Sequence, residues 1–97
     1  MKKFIFTFLV FVSLANAKIN LDVESTVITK NQTAIIYAYS DKPSILSVYD
    51  NTGRMIYNFS NVGNNVYKLQ LSKQGLYIII LKEQETNQMK KFILVLP

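Results

Sequence analysis

The tetrapeptide Asp50-Asn51-Thr52-Gly53 sits between two runs rich in β-branched, aromatic and aliphatic residues. That arrangement dictates a tight reversal between two antiparallel strands. The Asp carboxylate accepts hydrogen bonds from the turn backbone, and Gly supplies the positive φ that closes a type I turn with a bulge. The strands it joins are expected at residues 44–50 and 54–60. A chain of this length built around such a turn has little freedom to be anything but a small sheet protein.

The same punctuation recurs along the sequence. Residues 18–23 alternate Ile19, Leu21 and Val23 with Asn20 and Asp22, the pattern of a half-buried strand, with residues 26–29 continuing it. Lys30-Asn31-Gln32 reads as a turn. Residues 33–40 place Ala34, Ile36 and Ala38 on one face and Ile35, Tyr37 and Tyr39 on the other. Asp41-Lys42-Pro43 is expected to break the strand, because Pro donates no backbone hydrogen bond. Asn61-Val62-Gly63-Asn64 reads as a further turn, followed by a strand at 65–71. Ser72-Lys73-Gln74-Gly75 is the next, with Gly75 placed for a left-handed residue. The continuously apolar run 76–81 is expected to be a central strand covered on both faces. A polar loop at 83–88 and a last strand at 89–96 complete the pattern.

No helical periodicity appears. The expectation is all-β: an immunoglobulin-like antiparallel β-sandwich of about seven strands, with a small barrel as the alternative. The expected core comprises Leu21, Val23, Ile36, Leu46, Val48, Ile56, Leu69, Leu71, Tyr77, Ile79, Leu81, Phe92 and Leu94.

The start of the chain has a different grammar. Met1-Lys2-Lys3 precedes an apolar run over residues 4–14, and Ala15-Asn16-Ala17 follows. A basic start, a short apolar segment and small residues at the −3 and −1 positions make a secretory signal peptide spanning residues 1–17, cleaved after Ala17. The run is too short for a membrane span, which needs roughly 20 residues. Removing 17 of 97 residues leaves 80, a single small domain over residues 18–97. An exported domain of this size often relies on disulfides, yet the chain has no Cys. Its stability must come from apolar packing and sheet hydrogen bonds.

The formal net charge is +5, with the basic residues scattered. A nucleic-acid surface would need a clustered basic stripe with interleaved aromatics. With neither His nor Cys in the chain, His-dependent nucleophile pairs, thiolates and zinc knuckles are excluded. The six carboxylates sit singly or as Asp22 with Glu24 and Glu83 with Glu85. Neither pair supplies the six or more oxygens that a Ca²⁺ loop needs. The expectation is no enzyme, no cofactor and no metal. Four of the six Tyr residues (Tyr37, Tyr39, Tyr49 and Tyr57) are candidates for a glycan or protein platform. The plainer reading is that Tyr suits half-buried sheets. Lys30, Lys42, Pro43 and Lys90 are expected near strand edges, where they discourage unwanted pairing.

Three elements in order carry a resemblance: Val48-Tyr-Asp-Asn-Thr-Gly-Arg-Met-Ile-Tyr57, then Gly75-Leu-Tyr-Ile-Ile-Ile-Leu81, then Lys90-Lys-Phe-Ile-Leu94. Together they resemble the type A C-terminal sorting domain of the type IX secretion system. That family has a hairpin of the form Val-Tyr-Asp-x-x-Gly-Arg, a Gly-x-Tyr strand and a terminal strand opening on Lys. The resemblance covers roughly residues 45–95. It implies an immunoglobulin-like fold and recognition by outer-membrane secretion or attachment machinery. Tyr49, Asp50, Gly53, Arg54, Gly75, Tyr77 and Lys91 match its motifs, in structural or recognition roles. The Pro-Asn-Pro opening usual in the family is not found at residues 28–31.

Two functional expectations follow. One is a non-enzymatic sorting module whose partner is a protein of the secretion or cell-envelope machinery, with no nucleic acid and no membrane span after leader removal. The other is a free-standing periplasmic or surface module that binds protein or glycan through a sheet edge or the Tyr face.

Overall fold

The computed structural model describes residues 18–84 and 87–97; the expected signal peptide lies outside them. The chain forms six strands: β1 (Ile19–Val23), β2 (Val27–Thr29), β3 (Thr33–Tyr49), β4 (Met55–Gln70), β5 (Gly75–Gln84) and β6 (Asn87–Leu96). They make one sheet in the order β1-β3-β5-β6-β2, with β4 bonded to β3. All pairs are antiparallel except β2 with β6, which is parallel. The all-β expectation holds, with six strands rather than seven.

The count differs because four expected strands merge into two, while residues 27–29, expected to continue the first strand, form β2 on their own and pair with β6 instead. Asp41-Lys42-Pro43 and Asn61–Asn64 do not end strands; they lie opposite each other inside one long β3–β4 hairpin. Ser40 pairs with Gly63 and Ser44 with Asn61, so three β3 residues bulge across from Val62 alone. A bulge is where a sheet tolerates Pro, and it bends the strands that carry it. Asp41 fastens the outside of the bend, accepting from the Lys18 N–H at 3.0 Å and from the Tyr39 hydroxyl. Its carboxyl is held below the usual range, chiefly by the Tyr39 hydrogen bond and then by the Lys18 N–H. Lys42 and Pro43 therefore sit within β3, which is flanked on both sides, and do not guard an edge.

Beyond the bend the sheet faces itself. The first half of β3 lies between β1 and the second half of β4; its second half lies between β5 and the first half of β4. β1 packs against β5 and β6 without pairing to either. Phe59 stacks on Tyr67 with ring centroids 5.0 Å apart, and on Tyr57 at 5.9 Å. These residues come from the two halves of one strand.

The core between the facing halves is apolar. Leu21, Ile36, Leu46, Val48, Ile79, Leu81 and Ile93 are all buried to within 1% exposure. Each such side chain contributes about 1.5–3 kcal/mol relative to exposure. Ala34, Ala38 and Ile28 join them, and Ile56 is only half-buried. Phe92 and Leu94 correct the expected core. They are exposed, and their neighbours Ile93 and Val95 are buried instead. Residues 92–96 are all apolar, so alternation carried no information about which set faces inward. The run 76–81 does lie centrally, but only Tyr77, Ile79 and Leu81 are buried; Leu76 is exposed, and Ile78 and Ile80 are half-covered. The expected polar loop at 83–88 is tighter than anticipated, since β5 reaches Gln84 and β6 begins at Asn87.

Candidate functional site

The β3–β4 turn is organised by Asp50. Its N–H donates to the Arg54 carbonyl at 2.9 Å, and its own carbonyl accepts from the Gly53 N–H at 3.0 Å. Asp50 Oδ1 accepts from the Thr52 hydroxyl at 2.6 Å and from the N–H groups of Thr52 and Arg54, each at 3.0 Å. Arg54 Nε lies 3.5 Å from Asp50 Oδ2. The Thr52 hydroxyl and then the Arg54 N–H stabilise the carboxylate, pushing its pKa down to about 2. Gly53 has φ +87°, the left-handed geometry that this turn was expected to require.

The loop between β4 and β5 meets that turn. Gly75 has φ +135°, and a Cβ there would lie 3.3 Å from Asn51 Nδ2. Tyr77 is buried, and its hydroxyl donates to the Lys73 carbonyl at 2.7 Å, closing the loop. Burial pushes its phenol pKa up. Tyr57 donates to the Gln70 carbonyl at 3.1 Å where β4 ends. Between turn and loop lies an open groove of about 520 Å³, its lining including Asp50, Arg54, Tyr57, Lys73, Gly75 and Tyr77.

Thus residues 25 positions apart in sequence, Asp50 and Gly75, share one end of the fold. Gly53 belongs to the same turn. Tyr49 precedes it, paired with Met55 and Ile78, and does not line the groove. Lys91 stands apart. It lies on β6 opposite Ile79 of β5, and its Nζ is 4.0 Å from Asp22 Oδ1, with Lys91 part-exposed and Asp22 exposed.

The four candidate tyrosines do not make one platform. Tyr37 and Tyr39 are exposed on the first half of β3, whereas Tyr57 points inward and stacks on Phe59. The outer face instead presents aliphatic residues and Phe92. Leu76 pairs with Leu94, which pairs with Val27, and all three are exposed; Phe92, opposite Ile78, extends the row. Among the described residues, no cluster of three or more His, Cys, Asp or Glu is placed to hold a metal ion. No helix among them is long and apolar enough to cross a membrane.

A polar cluster inside the bend escaped sequence reasoning. Asn61 Nδ2 donates to Ser40 Oγ at 2.9 Å, and Ser44 Oγ donates to Ser40 Oγ at 2.8 Å. Tyr67 and Asn65 both donate to Asn61 Oδ1, at 2.7 and 2.9 Å. Ser40, Ser44 and Asn61 are buried. The available signal was the small polar residue at an inward position on either side of Asp41-Lys42-Pro43, Ser40 and Ser44.

Comparison with curated proteins finds no match. The family model described as the secretion system C-terminal sorting domain matches residues 15–95, well beyond the three motifs. With its turn, its Gly-x-Tyr strand and this match spanning most of its length, the chain belongs to the secretion system C-terminal sorting domain family.

Proposed function

We propose that this chain is a non-enzymatic sorting module that the outer-membrane export apparatus recognises as a folded surface. Family membership implies a sorting role in type IX secretion and a destination at the cell surface or outside. The observation that carries the finer reading is the gathering of Asp50, Arg54, Gly75 and Tyr77 around one groove. Groups that a secretion receptor must read should be held rigidly and together, and here hydrogen bonds within the turn and loop do so. Export through a cleaved signal peptide ending at Ala17 belongs to the same proposal. Joining residues 18–97 to the C-terminus of a periplasmic reporter tests it. In a host with the type IX machinery, the reporter reaches the outside; retention in the periplasm would refute the sorting reading.

The exposed row Val27, Leu94, Leu76 and Phe92 supports a second reading, a free-standing envelope module that binds protein through this face. A reporter that is retained, yet pulls down a defined envelope protein through that face, would favour it.

A further inference from the structure

Strand edges in this fold are defended unequally. The outer edge of β1 is five residues long and carries Asp22. β2 is three residues long and is followed by Lys30. β6 extends beyond its pairing with β2 and carries Lys90 and Lys91 there. β4 is different. It is 16 residues long and bonded to β3 on one side along its length except at the bulges, and no other described strand pairs with its far side. Its second half carries Lys68. Its first half, Met55-Ile-Tyr-Asn-Phe-Ser60, has no charge, no Pro and no Gly. Short edges, charges, Pro and bulges are the means by which sheets discourage added strands, and this segment has only one of them, a bulge at Ile56 that leaves 57–60 in regular register.

We propose that the edge of β4 over residues 55–60 accepts an extended, acidic segment of a partner protein, which adds a strand to the sheet. The backbone on the side of β4 that no other described strand pairs with fixes the occupant as extended polypeptide, since only another backbone answers it in register. The charge fixes its chemistry. No Asp or Glu occurs between Asp50 and Glu83, while Arg54 and Lys73 line the groove where β4 begins. The Arg54 side chain is 69% exposed even with its Asp50 contact. A second copy paired through the same segment brings no acid to Arg54 or Lys73, so a strand from another protein is the better complement. This deepens the sorting reading, and rests on it only for the partner's membership of the export apparatus.

Amide hydrogen exchange on the purified full chain tests the pairing without any export step. The probe is a short synthetic peptide of alternating valine and glutamate, with alternating valine and lysine as comparison. Amides over residues 55–60 should slow by about tenfold with the glutamate peptide and stay unchanged with the lysine peptide. Asn58→Lys, an exposed position on this strand, should abolish the protection while leaving β5 amides as slow as before. Lys73→Glu, which leaves the edge intact, should weaken it. Absence of protection at 55–60 would overturn the proposal, as would equal protection by both peptides. Protection that rises with protein concentration alone would assign the edge to a second copy and overturn it too. Because the exchange is read on isolated protein, a negative result here with successful reporter export would sink only the strand addition. Protection without export would sink only the sorting reading.

Discussion

The Tyr57 hydroxyl donates to the Gln70 carbonyl at 3.1 Å, thirteen residues further along the same strand. A straight strand would separate those residues by roughly 40 Å at its usual rise. The bond therefore measures how sharply β4 doubles back, and it ties the two facing halves of the sheet beside the groove. Tyr57→Phe keeps the ring stack and removes that bond. It should cost about 0.5–1.5 kcal/mol in chemical denaturation. A variant as stable as the parent would show that the bond does not hold the halves together.

Asn61 plays the corresponding part inside the bend. Truncating it to Ala strips partners from Ser40, Tyr67 and Asn65 at once, in a place where water replaces them poorly. A loss of about 2–3 kcal/mol is expected. Val62 is the exposed residue beside it, and Val62→Ala should stay within about 0.5 kcal/mol. Urea midpoints for the two variants read the contrast directly.

Gly75 and Gly53 can be separated by experiment. Both have positive φ, but a Cβ on Gly53 meets nothing within 4 Å, whereas one on Gly75 meets the tip of Asn51. Gly53→Ala should cost about 1 kcal/mol from backbone strain. Gly75→Val should cost more than about 1 kcal/mol for the same reason, with crowding added. Asn51→Ala removes the crowding but not the strain, so it should rescue Gly75→Val only in part. Full rescue in thermal melts would contradict the strain assignment.

Acid sensitivity should trace largely to Asp50, with the lowered pKa of the Asp41 carboxyl adding to it in the same direction. The folded pKa of Asp50, about 2, lies below the unfolded value of about 3.9. The unfolded chain thus takes up the proton first as pH falls. Stability from this carboxylate is fully present above the unfolded value and is lost as pH drops from about 4 towards 2. Asp50→Asn should flatten that part of the stability profile. An unchanged slope between pH 4 and pH 2 would place the acid response elsewhere.

Lys91 offers a test of role rather than of stability. Its contact with Asp22 is long and exposed, a pair worth about 0–1 kcal/mol. Lys91→Ala should barely move the melting temperature. If the terminal-strand motif is read by the secretion apparatus, the same change should reduce reporter export. Export at the parental level would leave Lys91 with only its weak surface pairing.

The groove end of the fold was legible in sequence because its grammar is local. Asp50 and Gly53 lie within one turn, and Gly75 needs only its own backbone geometry to be recognised. Their meeting was not legible, since it depends on the bend in β4 that carries Tyr57 back to Gln70. The bend itself was misread as two breaks. Pro43 and Gly63 are ordinary turn residues, and only the facing register of Ser40 with Gly63 and Ser44 with Asn61 reveals one continuous hairpin. Phe92 and Leu94 failed for another reason: in an unbroken apolar run either parity fits, and the pairing of Tyr77 with Ile93 decides it. The edge left open by β4 was invisible until the strand order was known.

The parallel pairing of Val27–Thr29 with Leu94–Leu96 gives the molecule a mechanical character. An early strand and the last strand lie side by side and point the same way. Once β1 has come away from β3, a pull on the two ends of the domain would load that seam lengthwise, so its bonds must give way together rather than peel apart one by one. A tug on the trailing end meets this seam at once, whereas a tug on the leading end must first free β1 from β3.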